Sequence, residues 1–118
     1  METKRRAIPK QIRLAVYDKC SGHCGYCGYE LKYKDMQVDH MQPLRLGGTD
    51  AIENMMPACR SCNHYKATFN VAGFRIYLSG IYQRLMRDSI PFQAGIRFEI
   101  VKHVSDDIVF YFEKAEEK

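Results

Sequence analysis

Four of the five cysteines fall in two pairs, Cys24-Gly25-Tyr26-Cys27 and Cys59-Arg60-Ser61-Cys62, and this spacing belongs to metal chemistry. A C-x-x-C knuckle lets two thiolates converge on one ion at about 2.3 Å, and two knuckles complete the tetrahedral four-sulfur shell that zinc takes in closed structural sites. Gly25 and Gly28 suit the tight, partly left-handed turn around the first pair. Two disulfides would suit a secreted chain, but the charged residues 1–6 lead into no apolar stretch of signal-peptide length. A redox dithiol would not need a second pair. The expected ligand is therefore structural Zn²⁺ on Cys24, Cys27, Cys59 and Cys62. Four sulfurs leave no open position, so the metal would hold the fold and any reaction must be sought elsewhere. Cys20 is left over as a small buried hydrophobe at the end of an expected helix, and His23 is read as a loop residue beside the first knuckle.

The residues between the knuckles are unusual in number. Zinc ribbons separate their pairs by about 15–20 residues, whereas 31 lie between Cys27 and Cys59. This insert opens with an extended stretch from Met36 to His40 and runs through a loop marked by Pro43 and Gly47-Gly48. It returns in a short segment near Asn54 to Pro57. ArgSerCysAsnHisTyrLysAla then starts a helix. The order across residues 36–69 is strand, long loop, strand, helix, with zinc at the flank of the hairpin and at the helix start.

Within that frame Asp39-His40, then Asn54, then Asn63 inside Cys59-x-x-Cys62-Asn63-x-x-Lys66 resembles the HNH nuclease motif. The form it resembles is the zinc-bound one of bacterial and phage HNH endonucleases and McrA-like proteins. The resemblance covers residues 24–66, and Pro9 to Asp18 and Tyr26-Cys27-Gly28 are similar to the family's lead-in. The spacing of 14 positions from His40 to Asn54 and 9 from Asn54 to Asn63 is also similar to that of HNH domains in RNA-guided nucleases. The resemblance implies an α+β fold with a ββα-metal (His-Me finger) core. It also implies a divalent-metal-dependent endonuclease that hydrolyses DNA, RNA not being excluded, to 5′-phosphate and 3′-hydroxyl ends. The rival is a catalytically inactive zinc-organised nucleic-acid-binding or adaptor module on the same fold.

Hydrolysing a phosphodiester near neutral pH requires a base for water, a cation for the charge that builds on the phosphate and leaving oxygen, and fixed geometry. His40 suits the first need. Asp39 and Asn63 supply the oxygens that suit Mg²⁺, or Mn²⁺ or another divalent ion, which would keep several waters and take further ligands from substrate. Adjacent residues of a regular strand face opposite ways, so Asp39 and His40 are expected where the strand ends. Asn54 resembles the family's middle asparagine, whose amide holds the loop and thereby the histidine. Lys66, three positions after Asn63 and on the same helix face, is expected to touch backbone phosphate. His64 is a further candidate phosphate contact.

These residues need elements to carry them. Pro9, Ile12, Ala15, Val16 and Tyr17 predict a short amphipathic helix from near Ile8 to Ser21-Gly22. Val71, Phe74, Leu78, Ile81, Tyr82 and Leu85 recur at helical spacing, predicting one long helix to about residue 88 closed by Pro91. Ile96, Phe98 and Ile100 alternate with charged residues and Ile108 to Phe112 follows, which together predict a C-terminal β-hairpin. A chain of 118 residues with 46% hydrophobic and 27% charged residues is expected to be one domain. Its core would span about residues 20–69 and its C-terminal extension 70–118. No run approaches the ~20 apolar residues of a membrane span, so a cytoplasmic protein without a membrane partner is expected. It would act as a monomer or dimer, or within a larger phage or host complex. The formal charge of +4 drops to about +2 once four thiolates hold zinc. The distribution is uneven: eight Lys or Arg face three acids in residues 1–34, and six acids face three Lys in residues 99–118. The basic end is the expected place for sequence-independent phosphate contacts.

Overall fold

The computed structural model describes residues 7–116. Its elements are α1 (Lys10–Asp18), β1 (Gln37–His40), β2 (Met55–Ala58), α2 (Arg60–Lys66), α3 (Val71–Ser79), α4 (Ile81–Asp88), α5 (Ile90–Arg97) and α6 (Tyr111–Glu116), with 3₁₀ turns at Tyr33–Asp35, Leu44–Leu46 and Ile52–Asn54. No described helix is long and apolar enough to cross a membrane.

The centre is a two-stranded antiparallel hairpin in which Gln37 faces Ala58, Val38 faces Pro57, Asp39 faces Met56 and His40 faces Met55. All four residues of β2 are buried, because α1, α2 and the first knuckle close over it. Pro57 is tolerated because its carbonyl accepts from Gly25 N at 2.8 Å on the side away from β1, and its missing N–H falls on that same side. Two apolar clusters flank the hairpin. One gathers Val16, Leu31, Met36 and Met55 beneath α1. The other gathers Cys20, Cys24, Tyr26, Met56, Ala58, Cys62, Phe74 and Phe110 around the knuckles.

Helix α1 buries Val16 and presents a basic side. Two of those cations turn inward: Arg13 donates to Met36 O at 3.1 Å and lies over the Tyr33 ring, and Lys19 Nζ donates to Ile52 O and Met55 O at 2.5 and 2.6 Å. They are structural clamps that tie α1 to backbone carbonyls of the following segments. Lys10, Lys32 and Lys34 remain exposed, and Lys4, Arg5 and Arg6 lie outside the described residues.

Two expectations downstream are corrected. The long helix to residue 88 is divided, because Gly80 ends α3, its N–H drawn to the Ile76 and Tyr77 carbonyls, and α4 starts afresh at Ile81. The C-terminal β-hairpin is not formed. Ser89 caps the next segment by accepting from Phe92 N, and Pro91 sits in its first turn, so residues 90–97 become α5 and Pro91 opens a helix where it was expected to close one. Glu99, with φ 61°, then reverses the chain, and Ile100 N and Val101 N both bond Gly95 O. The alternating Ile96, Phe98, Ile100 pattern was too short to outweigh a helix start six residues earlier; Phe98 and Ile100 are left exposed. Residues 108–110 instead lead into α6, whose backbone bonds the first knuckle, Tyr111 N to Tyr26 O at 3.1 Å and Phe112 N to Gly25 O at 2.8 Å.

Candidate active site

The two knuckles meet where α2 begins. The Sγ atoms of Cys24, Cys27, Cys59 and Cys62 all lie within 4.8 Å of one another. Cys27 and Cys59 are 3.8 Å apart, close to the edge, about 3.8 Å, of a tetrahedron with 2.3 Å metal–sulfur bonds. The four cysteines are positioned to bind structural zinc. Backbone amides orient the sulfurs: Cys59 N donates to Cys24 Sγ at 3.3 Å and Cys62 N to Cys59 Sγ at 3.4 Å. The Cys62 thiol, with the backbone N–H groups of Cys59, Cys27 and Tyr26, outweighs burial and holds Cys24 down, while Cys24 pushes Cys62 up. Gly28 takes φ 82°, the left-handed turn that closes this knuckle. His23 stands apart from the four sulfurs, its Nδ1 against the Cys20 and Ser21 carbonyls and its ring stacked on Tyr111. Cys20 is buried against Met56, and burial pushes its thiol up.

Asp39 and His40 are the last two residues of β1, and their side chains take different partners, as strand alternation requires. Asp39, 6% exposed, accepts from Tyr26 Oη on Oδ2 at 2.5 Å and from Lys66 Nζ on Oδ1 at 3.2 Å, with the ammonium 3.1 Å from Oδ2. Burial and the Asp39 charge push the Tyr26 hydroxyl far up, so it stays a donor. Lys66 also donates to His40 O at 3.0 Å. Its side chain is fully buried, which corrects the expectation that it touches phosphate: the ammonium is the counter-ion of Asp39 and ties α2 to the end of β1.

His40, 7% exposed, places Nε2 at 2.8 Å from Oδ1 of Asp50. Its Nδ1 has no partner among the described residues, and since no fully buried side-chain nitrogen or oxygen there lacks one, Nδ1 is reached by solvent. Asn54 fastens the loop that leaves β1: its Oδ1 accepts from Gln42 N at 2.9 Å, its Nδ2 donates to Gln42 O at 3.0 Å and to Thr49 O at 2.8 Å, and its carbonyl accepts from Met41 N at 2.8 Å. Gly48 is required by the same closure, since a Cβ there would lie 1.8 Å from Gln42 O. Asn63, half-buried in the middle of α2, lies three residues before Lys66. His64 is exposed, with its ring edge toward Tyr65.

Sequence reasoning missed three contributors. Tyr26 enters the sequence reading only within the lead-in Tyr26-Cys27-Gly28, Lys19 only as one of the basic residues of 1–34, and Asp50 carries no role there. The sole sequence signal for Asp50 is its place directly after Gly47-Gly48-Thr49, in the loop that Asn54 was expected to hold.

Tyr26, Asp39, His40, Asn54, Asn63 and Lys66 all fall within residues 24–68, which match the family model described as HNH endonuclease. Among solved structures, the crystal structure of the Type II-C Cas9 enzyme from Actinomyces naeslundii is similar to 62% of this chain at 26% identity, with a TM-score of 0.53. The matched part is 9% of that enzyme's length. No curated protein matches the chain significantly. The hairpin, the helix after it and the paired cysteines thus lie in the segment, residues 24–68, that matches the HNH endonuclease family model.

Proposed function

We propose that this single domain is a divalent-metal-dependent endonuclease acting on DNA, RNA not being excluded, with His40 as the general base. The observation that carries the reading is the convergence at the end of β1: a histidine with one ring nitrogen engaged and the other without a partner, beside a carboxylate, on a loop fastened by Asn54. His40 would take a proton from water as the water attacks phosphorus, and the products would carry 5′-phosphate and 3′-hydroxyl ends. Asn54 would keep the loop, and so the imidazole, in place.

The donor set suits a hard cation. Two hydrogen bonds, one on each oxygen, and the Lys66 ion pair occupy Asp39, leaving lone-pair positions for a cation. Asn63 offers a neutral amide oxygen from the helix that carries Lys66. Asp39 and Asn63 would therefore hold Mg²⁺ or Mn²⁺ through one oxygen each, with water and substrate completing the shell. The ion's charge would offset that building on the phosphate and the leaving 3′ oxygen. The exposed His64 would contact phosphate beyond the scissile bond.

A second reading, the inactive zinc-organised nucleic-acid-binding or adaptor module, is favoured by one observation: the buried Lys66 ammonium already compensates Asp39. A plasmid-nicking assay with Mg²⁺ or Mn²⁺ separates the two. Cleavage that falls about 10²–10⁴-fold in His40→Ala supports the nuclease. Cleavage unchanged by that substitution removes His40 as base, and binding without cleavage under either metal favours the adaptor.

A further inference from the structure

The imidazole of His40 is nearly enclosed, yet the group on its Nε2 is the carboxylate of Asp50, which is 75% exposed. Asp50 packs in no apolar cluster, so burial of its own side chain does not explain its position. Its backbone is held instead. Asn54 Nδ2 bonds the carbonyl of the preceding residue, Thr49, and Thr49 Oγ1 accepts from the N–H of the following residue, Ala51, at 3.3 Å. The same Asn54 side chain bonds both backbone groups of Gln42, two residues beyond His40. One amide therefore sets the position of Asp50 relative to His40 from both sides of the loop.

An ionised carboxylate accepts hydrogen bonds and donates none. With Oδ1 of Asp50 at 2.8 Å, Nε2 of His40 must carry the hydrogen, and in the neutral ring the lone pair then lies on Nδ1. We propose that Asp50 is the positioning residue of this site: it fixes His40 in the Nε2–H tautomer and makes Nδ1 the atom that takes the proton from water. This rests on the reading of His40 as general base. It also gives Asn54 a definite route to the histidine, through Thr49 and Asp50. Asp50 touches neither substrate nor reacting atoms in this scheme. Hydrogen-bond partners on the far side of metal-bound histidines change activity by about 10–100-fold, and an effect of that size is expected here.

The test uses the zinc-loaded full chain. Long-range ¹H–¹⁵N correlation of the His40 ring, without added Mg²⁺ or Mn²⁺, should show one Nε2–H tautomer in the natural protein. A mixture with the Nδ1–H form is expected in Asp50→Ala, with partial return in Asp50→Glu. In Mn²⁺-supported nicking, Asp50→Ala should lower kcat about 10–100-fold with little change in KM, and Asp50→Glu should recover part of it. Since Asp50 is exposed, an unaltered melting temperature is expected and excludes misfolding as the cause. An unchanged tautomer in Asp50→Ala, or an unchanged kcat in a chain that cleaves, overturns the proposal. A tautomer that follows Asp50 in a chain that cleaves nothing supports the positioning contact while sinking the nuclease reading.

Discussion

Lys66 is the residue whose environment departs furthest from its type. Lysine is almost never fully buried unless paired, and here the pair is Asp39, itself hydrogen-bonded by Tyr26. Removing one member of a buried ion pair leaves the other charge uncompensated, which costs about 3–5 kcal/mol. Lys66→Met is therefore expected to lose that much stability by urea denaturation of the zinc-loaded protein. Because the loss comes from the stranded carboxylate, Asp39→Asn/Lys66→Met should be more stable than Lys66→Met alone. If the two substitutions simply add, the pair is not coupled as its geometry requires. At this scale the sequence made Asp39, His40, Asn54 and Asn63 legible because each is a polar residue at a motif spacing. The inward turn of Lys66 was not legible, since a lysine on a short helix reads as solvated until the helix is docked.

Elements are joined here by a few polar contacts as much as by apolar area. Helix α6 is only six residues long, too short to be stable alone, and it is anchored through Arg75 of α3. Arg75 makes two bonds to Glu113, at 2.8 and 2.7 Å, donates to Ile108 O at 2.7 Å and lies over the Phe110 ring. Glu113 also accepts from Phe110 N at 2.8 Å, capping the helix. The Arg75 guanidinium holds the Glu113 carboxyl below the usual glutamate range. A depressed carboxyl stabilises the folded state at pH values above its unfolded pKa, and that contribution fades as pH falls through the folded value. Glu113→Gln is expected to lower the hydrogen-exchange protection of the Tyr111 and Phe112 amides about fivefold at neutral pH, equivalent to roughly 1 kcal/mol for a partly exposed pair. The difference from the natural protein should close below the ordinary glutamate range. A difference that grows on acidification would contradict the assignment.

For the whole molecule, the four cysteines positioned to bind zinc are where the fold and the candidate site meet. The knuckles join the segment carrying Tyr26 to the start of α2, and the apolar cluster around them reaches from Cys20 to Phe110. The radius of gyration, 16.7 Å, exceeds the roughly 13–14 Å of a compact chain of this length, because α4 buries no residue fully and the segment after α5 leaves Phe98, Ile100 and Val104 exposed. An open chain of this kind has little apolar burial in reserve. A strong chelator is expected to lower Tm by at least about 15 °C, the shift for a loss near 4 kcal/mol in a domain of this size. Differential scanning calorimetry with parallel zinc and thiol titration checks this. Full zinc release with an unchanged Tm would rule out the structural role.

Sequence by itself determined what short-range chemistry specifies: the four thiol ligands, whose spacing suits one tetrahedral ion, the strand–loop–strand–helix order between them, and the residues that resemble an HNH site. Tertiary structure decided which groups those residues meet. Asp50 reaches His40 across ten positions, Lys66 reaches Asp39 across twenty-seven and Lys19 reaches Met55 across thirty-six. No local periodicity encodes such pairings. The C-terminal segment shows the same limit, because a five-residue alternation at 96–100 is weaker than the Ser89 cap and the Pro91 helix start, and residues 108–112 take their conformation from the knuckle on which they dock.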